Sequence, residues 1–218
     1  MENILPIIDI SDSMDSENKQ ALYNAIGLGI RIAEKSRLGK RLIAFNNKPY
    51  WINMEDSKDY MDMVKKIKNI PWGLNADFYR AIDMIIDTII ENNIPADDIE
   101  NLTLVILSDM QFDEVSKEEE KKLSIKQILN KKFEEVGVSI SGIPYKCPHL
   151  LFWNMKRSNG FPEISYENNT TMLSGYSPVI INMFIEEGIN NIRHITPWIM
   201  LNKILTKERY KNIEEIIN

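Results

Sequence analysis

The stretch Leu102-Thr103-Leu104-Val105-Ile106-Leu107-Ser108-Asp109 decides the fold. Its first six residues make an almost unbroken apolar run, the pattern of a strand covered on both faces, and such strands belong to parallel sheets flanked by helices. The run stops abruptly at Ser108-Asp109. A second run of the same kind, Ile4-Leu5-Pro6-Ile7-Ile8, lies near the start of the chain and stops at Asp9. In an open parallel sheet, ligands gather beyond the carboxyl ends of the strands, above all where the strand order reverses. If these two strands are neighbours at that point, Asp9 and Asp109 meet.

Outward from these runs, short apolar segments alternate with helical patterns, which predicts an α/β fold: a doubly wound, Rossmann-like, mainly parallel sheet flanked by helices. Ala21, Leu22, Ala25, Ile26, Leu28, Ile32 and Ala33 recur at helical spacing, so residues 18–36 are expected to be a well-buried helix. Residues 41–45 read as a strand, the cluster Asn46-Asn47-Lys48-Pro49 as a turn, and residues 50–53 as a short returning strand. An amphipathic segment follows over residues 60–67. Pro71-Trp72-Gly73 breaks the pattern before a strongly periodic helix carrying Phe78, Ile82, Ile85, Ile86, Ile89 and Ile90. The charged run 117–135 is expected to be a solvated helix with Leu123, Ile128, Leu129 and Phe133 facing inward. Residues 149–153 read as a strand, 163–166 and 170–174 as weaker strands, and 179–186, 197–205 and 208–217 as helices. No internal repeat or low-complexity linker interrupts the chain, so a single domain over 1–218 is expected.

The 218 residues are 44% hydrophobic, enough to bury a substantial core, and the formal net charge is −6. That balance opposes sequence-independent attraction to phosphate backbones, which requires clustered Lys and Arg. One cysteine, Cys147, excludes an intramolecular disulfide and a thiolate metal cluster, so any metal chemistry must use oxygen ligands. The amino terminus lacks the basic flank and long apolar core of a signal peptide, and no stretch is long enough to cross a bilayer. The expectation is an intracellular, cytoplasmic protein with no membrane partner. Richness in Ile, Asn and Lys fits an AT-rich genome, and for a large DNA virus the location would be host cytoplasm or virion.

Three polar loops follow buried strands or precede long helices: Asp9-Ile10-Ser11-Asp12-Ser13, Gly73-Leu74-Asn75-Ala76-Asp77 and Ser108-Asp109. Alternate residues of an extended segment point the same way, so Asp9, Ser11 and Ser13 can offer one carboxylate and two hydroxyls to a common centre. Hard oxygen ligands with few formal charges suit Mg2+ or Mn2+, which keep waters and leave a position for a partner's carboxylate.

Asp9-Ile10-Ser11-Asp12-Ser13 resembles the D-x-S-x-S metal-ion-dependent adhesion site of von Willebrand A domains, and Ser108-Asp109 resembles that site's last aspartate. The closer resemblance is to a family of von Willebrand A-like proteins, known as a domain of unknown function in plants, fungi and large DNA viruses. Its landmarks run through the chain: Trp72-Gly73-x-Asn75-x-Asp77-Phe78, Ser108-Asp109-Met110-x-Phe112-Asp113, Phe152-Trp153-Asn154, Leu173-Ser174-Gly175-x-Ser177 and Thr196-Pro197-Trp198. The resemblance implies a protein-interaction module whose metal, held by Asp9, Ser11, Ser13 and Asp109, receives an acidic side chain from a partner. Asn75, Asp77 and Asn154 are auxiliary candidates. Where the family pattern has threonine this chain has Ala76, so a water or Asp77 must supply the missing ligand, or the site is degenerate. Family members commonly carry a large region before this domain, which makes the chain either a stand-alone domain or an excised one.

Each candidate also has a purely structural reading. Asp9, Ser11 and Ser13 can cap a following helix, and Asn75 and Asp77 read equally as ligands or caps. His149, His194 and Cys147 lack partners at catalytic spacing and are expected to be structural. Phe112 and Trp153 are expected to pack beneath the loops, with a partner-anchoring role at the sheet edge as the alternative. A looser resemblance to the carboxyl-terminal part of the Ro autoantigen family makes an RNA-binding ribonucleoprotein component an alternative, disfavoured by the acidic charge. A Mg2+-dependent phosphohydrolase is disfavoured further: there is no phosphate-cradling G-x-x-x-x-G-K-[ST] loop, and Ser11 stands where a second acid would follow an aspartate nucleophile. No catalytic residue is expected.

Overall fold

The computed structural model describes residues 3–15, 19–114, 120–156 and 169–175, together with 188, 198, 202, 205 and 206. The chain divides into two compact units, Met1–Gly175 and Tyr176–Asn218. The strand expected at 163–166, the helix expected at 179–186, nearly all of those at 197–205 and 208–217, and His194, Ser177 and Thr196-Pro197 lie outside the described residues.

In the first unit, β1 (Asn3–Asp9), α1 (Gln20–Lys35), β2 (Arg41–Phe45), β3 (Pro49–Asn53), α2 (Tyr60–Lys68), α3 (Phe78–Glu91), α4 (Ala96–Glu100), β4 (Leu102–Ser108), α5 (Ile125–Ser141), β5 (His149–Asn154) and β6 (Thr170–Ser174) follow in order. One six-stranded sheet has the order β3-β2-β1-β4-β5-β6. β3 is antiparallel to β2 because only a tight turn joins them; every other pairing is parallel and is reached through a crossover. The chain lays β2 on one side of β1 and later returns to lay β4 on the other. The strand order therefore reverses at the β1/β4 boundary, as the two apolar runs anticipate.

Burial follows the alternation of a two-faced sheet. Leu5, Ile7, Ile43, Phe45, Leu104, Ile106, Leu150 and Phe152 point into one core with Phe78, Ile82, Ile85 and Ile89 of α3 and Leu129 and Phe133 of α5. The opposite residues Ile4, Ile8, Leu42, Ala44, Val105 and Leu107 are also buried, on a sheet that α1 packs against through β1, β2 and β4. Both faces of β1 and β4 are thus dry, which leaves their ends as the place for polar chemistry.

Two elements correct the sequence reading. The helix expected over 117–135 instead runs from Ile125 to Ser141, with a turn at 120–122. Its start is set by a capping box in which the Ser124 hydroxyl accepts the Gln127 amide and the Gln127 side chain accepts the Ser124 amide. Its end is set by Gly142 at φ 74°, a left-handed conformation that favours glycine. The charge run concealed these terminators. The short helix α4 had no counterpart in the reading, since five residues are too few for periodicity to register.

Candidate functional site

The site grows from the end of β1. Asp9 is completely buried, and its two oxygens have different tasks. Oδ1 accepts the Ser11 amide at 2.9 Å, turning the chain back over the strand end, while Oδ2 accepts the Ser108 hydroxyl of β4 at 2.6 Å. The Ser11 and Ser13 hydroxyl oxygens then lie 3.0 Å apart, and a short 3-10 turn over Asp12–Asp15 carries the chain away.

The second loop is locked against the first. Ser11 and Gly73 pair as an isolated parallel bridge, with the Asp12 amide donating to the Gly73 carbonyl at 3.1 Å. A side chain at position 73 would meet Asn47 Oδ1 at 2.6 Å and Asn46 Cγ at 2.8 Å, which accounts for glycine after Trp72. Buried Asn46 holds both ends of this loop: its Nδ2 donates to the Pro71 carbonyl at 2.7 Å, and its carbonyl accepts the Asp77 amide at 2.9 Å.

β4 supplies the third loop. The Ser108 hydroxyl, besides donating to Asp9, accepts the Met110 amide at 2.9 Å. Asp109 is buried, with Oδ1 accepting the Gln111 amide at 3.3 Å and Oδ2 paired with the Lys156 ammonium at 3.1 Å. The same ammonium donates to the Ser13 carbonyl. Asn154 pairs in register with Ser108, and its Oδ1 accepts the Lys156 amide at 2.8 Å, so it shapes the exit of β5 toward the site. Burial pushes the Asp9 carboxyl up to about 6, with neighbouring Asp109 adding to the rise and hydrogen bonds from Ser108 and Ser11 opposing it.

Asp9, Ser11, Ser13 and Asp109 are therefore collected at one strand edge. Among the described residues no group of three or more His, Cys, Asp or Glu side chains stands ready to hold a metal. The set here is two carboxylates plus hydroxyls, a hard all-oxygen donor set. The Ser11 and Ser13 hydroxyls are hydrogen-bonded to each other at 3.0 Å. By its chemistry, an all-oxygen donor set is of the kind that hard divalent cations take.

The auxiliary candidates behave differently. Asn75 is exposed. Asp77 caps α3: Oδ1 accepts the Arg80 amide at 3.1 Å and Oδ2 pairs with Arg80 Nε at 3.0 Å. Asp77→Ala is expected to cost about 1 kcal/mol in urea denaturation, as for other lost caps, while leaving metal titrations unchanged. Ala76 is 2% exposed, with its methyl in the apolar core beside Phe78.

Lys156 and Asn46 were missed by sequence reasoning. A signal existed for Lys156, which follows Asn154 by two residues at a strand exit as Ser11 follows Asp9. Phe112 and Trp153 pack beneath the loops, as expected. The Phe112 ring stacks on Phe78 at 4.8 Å, and buried Trp153 donates its indole N–H to the Gly175 carbonyl at 2.7 Å. His149 is tied to Asn169 and Thr171 at 2.9 and 3.0 Å. Burial pushes the Cys147 thiol up to about 11, leaving it protonated and unreactive at neutral pH.

A mostly parallel six-stranded sheet with one antiparallel edge strand, helices on its faces and the polar loops gathered at the reversal of strand order defines a von Willebrand A type domain. The chain belongs to the family described as domain of unknown function (DUF7788), whose model matches residues 3–215. No curated protein matches the sequence. Among solved structures it is similar to the RO (RSR) protein of Deinococcus radiodurans, with TM-score 0.54 and 11% identity over 86% of this chain and 34% of that one. The chain thus spans about a third of that relative's length. Weaker likenesses are to the SpRpn10 VWA domain, with TM-score 0.46 and 11% identity over 86% of this chain and 95% of that one. Another is proximal thread matrix protein 1 of the mussel byssus with a zinc-occupied MIDAS motif, with TM-score 0.47 and 10% identity over 87% of this chain and 47% of that one. Among the described residues no helix is long and apolar enough to cross a membrane.

Proposed function

We propose that this domain is a protein-interaction module, not an enzyme, whose carboxyl sheet edge binds Mg2+ or Mn2+ and through it an acidic side chain of a partner protein. Asp9, Ser11 and Ser13 are the direct ligands in this reading, and Asp109 contributes charge or a ligand from β4. The observation that carries it is the convergence of two buried carboxylates and two hydroxyls on the β1/β4 boundary.

The rim supports a protein partner over a small substrate. Leu74 is 79% exposed and Trp72 41% exposed, both on the loop that pairs with Ser11, and the Lys19 ammonium sits 5.7 Å from the Trp72 ring centroid. An aromatic and an aliphatic side chain beside a polar centre are the composition of an interaction hot spot. When bound, the ion would supply a positive centre for an incoming carboxylate. Asp9 and Asp109, both buried, hold that position at the strand ends.

Calorimetric titration with Mg2+ and Mn2+ tests the reading. Binding is expected in the wild type, lost in Asp9→Ala and retained in Asp77→Ala. Silence in the wild type, or binding indifferent to Asp9→Ala, would remove the metal from the proposal.

A further inference from the structure

Lys156 places a positive charge where a lysine has little reason to be. Its side chain is 16% exposed and its partner Asp109 carboxylate is completely buried. Lysine side chains ordinarily stay in water, and fixing one costs rotamer entropy and desolvation. Here the backbone is fastened by the amide bond to Asn154 Oδ1 at 2.8 Å, and the ammonium reaches across to Asp109 Oδ2 at 3.1 Å and to the Ser13 carbonyl. It thereby ties the β1 loop to the β4 loop, the two loops whose oxygens form the candidate ligand set.

We propose that the Lys156 ammonium is the resident cation of this site, bridging Asp109 and the Ser13 loop, and that it and a divalent ion are alternative occupants. The inference rests on reading Asp9, Ser11, Ser13 and Asp109 as a cation-binding set. Charge argues for exchange over co-occupancy. Two ionised carboxylates with one ammonium leave a single negative charge, and with one divalent ion they leave none. In the free domain, before any partner carboxylate arrives, both cations together would place an excess positive charge among buried groups, where it is least tolerated. Metal entry therefore requires Lys156 to swing out. The lysine lowers apparent metal affinity, because only the fraction of molecules with the ammonium withdrawn can bind.

The test compares wild type, Lys156→Met and Lys156→Gln by thermal melts in EDTA and in excess MnCl2, and by calorimetric titration with MnCl2. The glutamine variant keeps a neutral polar group at the position and is the safer folder. Without metal, Lys156→Met is expected to melt roughly 6–20 °C below wild type, the effect of leaving a buried charge unpaired, and Lys156→Gln by less. Mn2+ is expected to restore most of that loss and to bind both variants about tenfold or more tighter than wild type. Equal Mn2+ affinity in wild type and both variants would overturn the inference while leaving the site a metal site. Binding in the variants alone would uphold it and overturn metal dependence in the wild type. No binding in any of the three, or variants that melt like wild type with or without Mn2+, would overturn it.

Discussion

Asp9→Asn is expected to make the metal-free protein more stable while abolishing its response to Mg2+ and Mn2+. Burial pushes the Asp9 carboxyl from 3.8 to about 6, so the fold favours its protonated form. At pH values between these two, the folded state binds more protons than the unfolded one, and the free energy of unfolding falls as pH rises. The contribution is fully present below 3.8 and lost above about 6. Its size is about 3 kcal/mol, at 1.36 kcal/mol per pH unit. A neutral amide avoids that penalty, can still accept the Ser11 amide, and can donate toward Ser108. Asp9→Asn should therefore gain about 1–3 kcal/mol at pH 7.5 in EDTA and flatten the decline in stability between pH 4 and 6, an exchange of stability for function common at binding sites. Urea denaturation across pH decides it: a variant less stable than wild type with the same pH slope would show that Asp9 is a structural carboxylate.

The second large effect lies directly beneath the loops. The Phe78 ring is 4.8 Å from Phe112, 5.8 Å from Tyr79, 6.1 Å from Phe152 and 6.2 Å from Phe45, centroid to centroid. It therefore joins α3 to β2, β5 and the loop after β4. That loop is also held from above, since the Asp113 amide donates to the Ala76 carbonyl at 3.0 Å. Phe78→Ala empties the centre of this cluster and should cost about 3–5 kcal/mol, lowering Tm by roughly 6–20 °C. Phe112→Ala removes a half-buried ring at the edge and should cost clearly less. Chemical denaturation of the two variants checks the order. A Phe112→Ala variant as stable as wild type would return that residue to the surface and revive an anchoring role for it.

The placement of Ala76 bears on how the site is tuned. The family that the chain resembles has threonine here in its pattern; in this chain the Ala76 methyl is part of the same apolar cluster as Phe78 and offers no hydroxyl. Within the cation-binding reading, the remaining oxygens of Asp9, Ser11, Ser13 and Asp109 carry the binding, and Lys156 sets its strength.

The sequence by itself determined the central parallel strands and the polar residues at their carboxyl ends. Two apolar runs, each ending in an acid, are a local signal for buried parallel strands, because a strand covered on both faces admits few polar residues. The D-x-S-x-S motif is also local, but alternation along an extended chain is not what gathers its oxygens: the strand ends at Asp9, whose carboxylate turns the backbone at Ser11, and Ser13 sits in the 3-10 turn over Asp12–Asp15. Only the tertiary structure decided that Asn46 clamps the Trp72-Gly73 loop, that Asp77 is occupied in capping α3, and that Lys156 enters the site. Lys156 stands 47 residues from Asp109 and 143 from the Ser13 carbonyl it reaches. No periodicity or spacing rule operates over such separations; a lysine near a strand end reads as a solvated surface residue until the crossovers bring β5 beside β4 and turn its ammonium toward a buried carboxylate.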